Sequence, residues 1–368
     1  MIYVYMTLAS ALLVMLSDYV KSLKLEGNPI LGFSKSAISK ILYYMAFLVI
    51  FIPGAIRYYV GIDYTTYSNL QIPMVLSGNP VKVETLYRWV IKIGYWLSGY
   101  TTYQLIFAIT NFLIVFFLFL YIKDQSKNKW LSILIFMTGG FFYFSLSGMR
   151  QAIGVTIALW ALKFINEKKF WHYLISIIVA SLFHTAAIVF LIFYFVDRIE
   201  INPYVMLGIM VVVRILASQI RELLIMVSSK VGLYSEYFGG KFDVAGLYSS
   251  ILPAIVFLVM IFLCISRFIL GKDLFYKNQV EINIHYMACL IISMINFLPT
   301  PTRLLYLFIP VYITLIPNII SFYEDKRLKV FIYLIIIVIL GLLMYELLFV
   351  QNSYSVLPYR FIWNGIAY

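Results

Sequence analysis

The sequence predicts an all-α, polytopic helical membrane protein, read as a single integral membrane domain over residues 1–368. Three observations carry that class. Hydrophobic residues make up 63% of the chain and charged ones only 12%, with a mean hydropathy of +0.94. A soluble domain of this size needs far more polar surface to face water. About eleven apolar runs approach the ~20 residues that cross a bilayer. The turns between them are short and rich in lysine, the composition of cytoplasmic loops.

In chain order the runs lie at roughly 2–20, 40–60, 103–122, 130–147, 150–166, 173–196, 204–220, 250–270, 282–298, 303–320 and 329–350. The first lacks a charged leading region and a small-residue cleavage site, so it reads as a retained helix. Lys21, Lys24, Lys35 and Lys40 fill the first connection. KDQSKNK (123–129), NEKK (166–169), GKDLFYKNQ (271–279) and YEDKRLK (323–329) fill later ones. Placing all of these inside puts the N-terminus outside. That topology requires 173–196 to enter and return without a full crossing. Its polar pair His184-Thr185 marks the expected break, since irregular backbone is tolerated in a membrane where it lines a polar cavity. The alternative is one span through 173–196, with a later segment failing to cross. Two longer outside segments, about 57–102 and 221–249, mix Gly, Pro, Tyr and charge and read as partly helical caps on the external face.

The formal charge of +12 does not point to nucleic acid, because the basic residues are scattered among short loops. Cys264 and Cys289 sit inside apolar runs and read as core packing; no metal-ligand spacing exists, and no cofactor is expected. On this topology the outside is poorer in cations but carries Arg57, Arg88, Arg150, Arg221, Arg303 and Arg360. Arginine's planar fork suits phosphate or carboxylate oxygens, whereas lysine is enough to orient a helix. Snorkelling at the interface is the plain alternative for any one of them.

The chemistry-bearing stretches follow from this set. In SLSGMRQAIGVTIALWAL (145–162), Arg150-Gln151 opens an apolar helix, where a cation opposes the macrodipole and gains nothing structurally. Helix-end amides and a guanidinium together make an anion site. His184 lies in VASLFHTAAIV; an ionisable residue within a membrane is a functional candidate, able to move a proton or bind a hydroxyl. His172 and His285 read as interfacial. RYYVGIDYTTY (57–67) and VETLYRWV (83–90) add Asp63 and Glu84. Each of these acids serves as a general base, as a ligand of sugar hydroxyls, or as the neutralising partner of an arginine, and the residues alone leave these open. In NFLPTPTRLLYLFIP (296–310), Arg303 and Tyr306 share a helical face.

These stretches resemble the EpsG family of Wzy-like polysaccharide polymerases. The likeness runs in order over residues 50–200: R-x-x-x-G-x-D-Y-x-x-Y from Arg57, an acid before an aromatic at Glu84, S-x-x-x-x-R-Q ending at Gln151, and F-H at His184. It is weaker at Arg303–Tyr306 and in the tyrosine-rich tail. The resemblance implies a GT-C-like glycosyltransferase in the bacterial cytoplasmic membrane. Its substrate would be oligosaccharide repeat units on undecaprenyl pyrophosphate, reached from the outer face and joined into O-antigen, capsule or exopolysaccharide. It implies no nucleotide sugar and no metal, with the lipid bilayer and a chain-length regulator as further partners. Carried onto this chain, it expects His184, Asp63 and Arg150 in catalysis, and Arg57, Tyr64, Tyr67, Glu84, Gln151, Arg303 and Tyr306 in substrate binding. An O-antigen-ligase-like transferase is the nearest rival. A lipid-linked sugar flippase would spread its charges along a path through the bilayer.

Overall fold

A computed structural model describes residues 1–23, 34–231, 251–272 and 277–365 and is almost wholly helical. The one β feature among the described residues is an isolated antiparallel bridge between Arg57 and Phe361. Among the described residues six helices are long and apolar enough to cross a membrane, and a seventh crossing results if the bent pair Pro203–Ile215 and Ala217–Lys230 is one span. The eleven runs outnumber these spans because backbone breaks cut several of them short. Run 130–147 stops as a helix at Thr138, where Gly139-Gly140 turns the chain with Gly140 at φ 88°. Run 204–220 bends by 73° after Ile215. Two compact units form, Met1–Leu191 with Ile316–Tyr368, and Ile192–Leu315.

The first unit is built on α1 (Ile2–Ser22), α2 (Lys35–Ile56), α3 (Thr85–Leu97), α4 (Gln104–Gln125), α5 (Lys129–Thr138), α6 (Met149–Ala161), α7 (Phe170–Phe183) and α8 (Lys326–Tyr345). Helix α6 is apolar almost all round and buried almost all round, between α4 and α7. Polar side chains in the apolar interior are spent on helix-to-helix ties: Ser17 Oγ donates to Ser39 O at 2.7 Å, and Asn111 Nδ2 to Phe51 O at 2.9 Å. An unpaired polar group there would cost several kcal/mol in hydrocarbon.

Side-chain contacts divide this unit into two poles. At one, Lys129 pairs with Asp18 at 2.6 Å, Lys163 pairs with Asp124 at 2.7 Å, and Lys127 N donates to Asn318 Oδ1 at 2.9 Å. Lys127 and Lys129 belong to KDQSKNK, one of the lysine-rich turns that the sequence places on one side of the membrane. At the other, Gln104 reaches the Ala55 and Arg57 carbonyls, and Tyr3 Oη donates to Val356 O. Helix α6 runs between the poles, about 20 Å by its length, with Arg150 at its start and Lys163 just past its end.

Segment 173–196 doubles back. Helix α7 ends at Phe183, His184 is extended (φ −155°, ψ 113°), and a 3₁₀ helix follows over Thr185–Tyr194. Tyr173, in the first turn of α7, donates its hydroxyl to Phe190 O, so the second arm returns along the first. His184 is therefore the tip of a helical hairpin. Gly154 of α6 makes room for it: a Cβ there would lie 3.1 Å from Ala180 O and 3.3 Å from the Cβ atoms of both His184 and Ala187.

The second unit centres on the helix Gln279–Ser293. Asn283 Nδ2 donates to Val196 O at 2.7 Å, and Gln279 Nε2 to Ile199 O at 2.7 Å, fixing the turn that enters the unit. His285, expected at an interface, is fully buried instead: Nδ1 meets Tyr312 Oη at 2.8 Å and Nε2 meets Cys289 Sγ at 3.3 Å. It is a satisfied core histidine. Cys264 and Cys289 are both free thiols. Of the outside segment 221–249, the helix Ala217–Val231 covers the start, and the remainder lies outside the described residues.

Candidate functional site

The site is assembled at the pole opposite the lysine-rich turns, beginning with RYYVGIDYTTY. Helix α2 ends at Ile56, and Arg57 turns extended (φ −66°, ψ 147°). Gly61 takes φ +108°, a conformation that residues with a Cβ rarely hold. A Cβ there would also stand 2.5 Å from Leu146 O, so the loop touches the SLSGMRQ stretch backbone to backbone. Asp63 N–H donates to Ser147 Oγ at 3.1 Å, a second tie between the two motifs. The tail grips the loop from the other side: Tyr58 N–H donates to Arg360 O at 2.9 Å, and Ile62 N–H to Tyr354 O at 2.9 Å. Gly61→Ala is therefore expected to lower the yield and thermal stability of the protein. The backbone conformation alone costs about 1–3 kcal/mol, and the clash with Leu146 O adds to it. Thermal unfolding in detergent measures the effect.

Arg57 does not line an accessible wall, contrary to its expected place among substrate ligands. Its side chain is 1% exposed. Nη1 donates to Gly54 O at 2.9 Å and Nη2 to Leu146 O at 3.1 Å, and the guanidinium lies 5.6 Å from the Phe107 ring centre. Backbone carbonyls and an aromatic face, rather than an acid, carry its charge. Burial lowers its affinity for its proton from the ordinary arginine value. Tyr64 is buried too, stacked on Phe107 at 4.4 Å and 6°, so the ring face expected to meet a sugar is already covered. Burial pushes its hydroxyl up to about 12.

The second cluster lies where α3, α6 and the hairpin tip meet. Glu84 is the N-cap of α3, at the positive end of that helix, where a carboxylate is favoured. Arg150 is the second residue of α6, where a cation is disfavoured. The two side chains form an ion pair through Arg150 Nη1 and Glu84 Oε2, which offsets that penalty. The other carboxylate oxygen, Oε1, lies 3.3 Å from His184 Nδ1 and accepts from Thr185 N–H at 3.4 Å. Arg150 Nη1 also donates to Lys82 O at 3.1 Å, and Nε to Tyr67 Oη at 3.5 Å. Tyr67 is a buried ring that braces Arg150, 6.0 Å from its guanidinium, and is not an open sugar platform.

Electrostatics follow from this geometry. Burial pushes the Glu84 carboxyl up, but the His184 ring and the Arg150 guanidinium beside it more than reverse that, leaving it below the ordinary carboxylate range. Burial alone would loosen the Arg150 proton, yet Tyr67 and Glu84 hold it more tightly than usual. The side chains of Arg150, Glu84 and His184 are 19%, 17% and 27% exposed, so all three remain within reach of a ligand.

Asp63 enters none of the hydrogen bonds or ion pairs of these three residues. Gln151, next to Arg150, is buried within the first unit. In the second unit, Arg303 is exposed in the first turn of the helix from Pro301, while Tyr306 is buried; the shared face read from their spacing divides between outside and inside. Sequence reasoning overlooked Gly154 and the tail residue Tyr354. Gly154 carried a signal, a glycine inside an apolar helix that lies close in sequence to no turn. Among the described residues no group of three His, Cys, Asp or Glu side chains is placed to hold a metal ion.

The family model described as the EpsG family matches residues 40–361. No curated protein and no solved structure matches the chain. The matched region takes in both arginine motifs, Glu84, the hairpin tip and the tail that grips Arg57. The chain belongs to the EpsG family, which supports a polysaccharide polymerase at the level of the family, and is a multi-pass helical membrane protein.

Proposed function

We propose that the protein joins oligosaccharide repeat units carried on undecaprenyl pyrophosphate, at the outer face of the bacterial cytoplasmic membrane. One observation carries the reading: Arg150 and His184, from separate motifs, are drawn to the same carboxylate of Glu84. An anion-stabilising group and a proton acceptor thus stand side by side. The growing chain is the donor. The bond from its anomeric carbon to the pyrophosphate oxygen breaks, and the electron pair leaves on that oxygen. A hydroxyl of the incoming unit forms the new bond to the same carbon, with inversion. Arg150 stabilises the charge that grows on the leaving pyrophosphate, and its pairing with an acid places it to exchange one anion for another. His184 takes the hydroxyl proton on Nε2, the nitrogen turned away from Glu84. Asp63, held on the loop beside Ser147, serves as a hydroxyl ligand or as an alternative base.

Purified protein in liposomes, supplied with one lipid-linked repeat unit, is expected to yield a ladder of products. A single transferred product means a ligase-like enzyme, and unchanged lipid means that the reading is wrong.

A further inference from the structure

Nδ1 of His184 is buried and makes no aligned hydrogen bond to any described residue, although Glu84 Oε1 lies 3.3 Å away. A buried ring nitrogen left unmatched beside a carboxylate needs an explanation. Glu84 supplies one, because its other oxygen is committed to Arg150 in the tightest of its three contacts. In this arrangement the carboxylate is set by Arg150 on Oε2 and Thr185 N–H on Oε1, and Nδ1 is left unaligned. We infer that Glu84 is a positioning residue that couples the two halves of the site: a pyrophosphate arriving at Arg150 releases Glu84 to close on His184 Nδ1. This rests on the polymerase reading above.

The chemistry follows from the groups themselves. A pyrophosphate competes with the Glu84 carboxylate for one guanidinium, which can turn its fork to the new anion while Nη1 and Nε keep Lys82 O and Tyr67 within reach. The freed carboxylate is an acceptor only, so the histidine nitrogen it faces must carry the proton. That fixes the Nε2 lone pair toward the acceptor hydroxyl. The proton from the hydroxyl then goes to Nε2, and the resulting imidazolium lies against an unshared carboxylate. Glu84 touches neither sugar nor pyrophosphate. The arrangement makes the base competent only when a donor is in place, so that water or a stray hydroxyl is not activated at an empty site.

The histidines number three, which makes ¹⁵N-histidine NMR of the full-length protein in nanodiscs practicable. The His184 signals are assigned by their loss in His184→Gln. Farnesyl pyrophosphate serves as the probe, a lipid pyrophosphate with no sugar to transfer. Its addition is expected to move the Nδ1–H proton downfield, with Nε2 unprotonated, and the response is expected to vanish in both Glu84→Gln and Arg150→Ala. In the product-ladder assay, Glu84→Gln is expected to lower kcat by about 10–100-fold, the scale of a lost supporting contact. The same variant lowers KM for the lipid donor, because Arg150 has lost its competitor. A structural role for Glu84 has no means of strengthening donor binding. His184 signals unmoved by the probe, or a proton found on Nε2, overturn the inference even where wild-type protein makes a ladder. Absence of a ladder from wild type, with the histidine response intact, counts against the polymerase reading instead.

Discussion

Arg150→Ala is expected to reduce polymer formation by about 10²–10³-fold, the loss that follows removal of one preorganised charge donor from a transition state. Arg150 is one of two arginines that reach the junction of the first two motifs, and their surroundings separate them. Arg150 is part-exposed and paired with a single acid that a stronger anion can displace. Arg57 is sealed among carbonyls and Phe107. The two alanine variants should therefore fail differently. Arg57→Ala removes the ties to Gly54 O and Leu146 O and lowers the amount of folded protein. Arg150→Ala leaves protein level near wild type and removes activity per molecule. Arg150→Lys keeps the charge but not the fork that reaches Glu84, Lys82 O and Tyr67 together, so it restores only part of the activity. Polymer length in cells, normalised to membrane protein level, reads both effects.

His184→Ala is expected to cost about 10²–10⁴-fold in transfer, the usual contribution of a positioned general base. The hairpin should survive the change. Its tip is held by backbone bonds, His184 N–H to Ala180 O at 3.0 Å and Ala187 N–H to His184 O at 2.9 Å. The His184 side-chain atom nearest to Gly154 is its Cβ, which alanine retains. The loss is therefore chemical and not architectural. Comparable thermal unfolding of wild type and variant, alongside the loss in transfer, is the outcome that separates these causes.

Much of the fold could be read from composition and punctuation, and the failures have physical causes. Helical class followed from apolar runs, and the lysine-rich turn 123–129 is tied to Asp18 and Asn318 at one pole of the first unit, where Lys163 also meets Asp124. The count of spans did not follow, because hydropathy registers an apolar run whether or not its backbone is continuous. Gly139-Gly140 and the bend after Ile215 interrupt runs that hydropathy treats as whole. The polar pair His184-Thr185 stood out against its surroundings and falls at the hairpin tip. Burial within the first motif was hidden. Nothing local distinguishes Arg57 from Arg150, and what seals Arg57 comes from residues far along the chain: Leu146 and the bridge to Phe361. The same holds for Glu84, whose partners lie 66 and 100 residues away; a carboxylate's choice among arginines is a tertiary fact. The tail from Asn352 to Arg360 has no periodicity to signal that it packs on the first motif.

Central to the account is a division of labour within one site, Arg150 acting on the donor's pyrophosphate and His184 on the acceptor's proton. Equilibrium binding of farnesyl pyrophosphate to the purified wild type, Arg150→Ala and His184→Ala proteins, paired with transfer assays on the same preparations, tests it most directly. The account expects Arg150→Ala to lose both binding and transfer, and His184→Ala to bind as wild type does while transfer collapses. Equal binding by all three proteins, or loss of binding in His184→Ala alone, would contradict it.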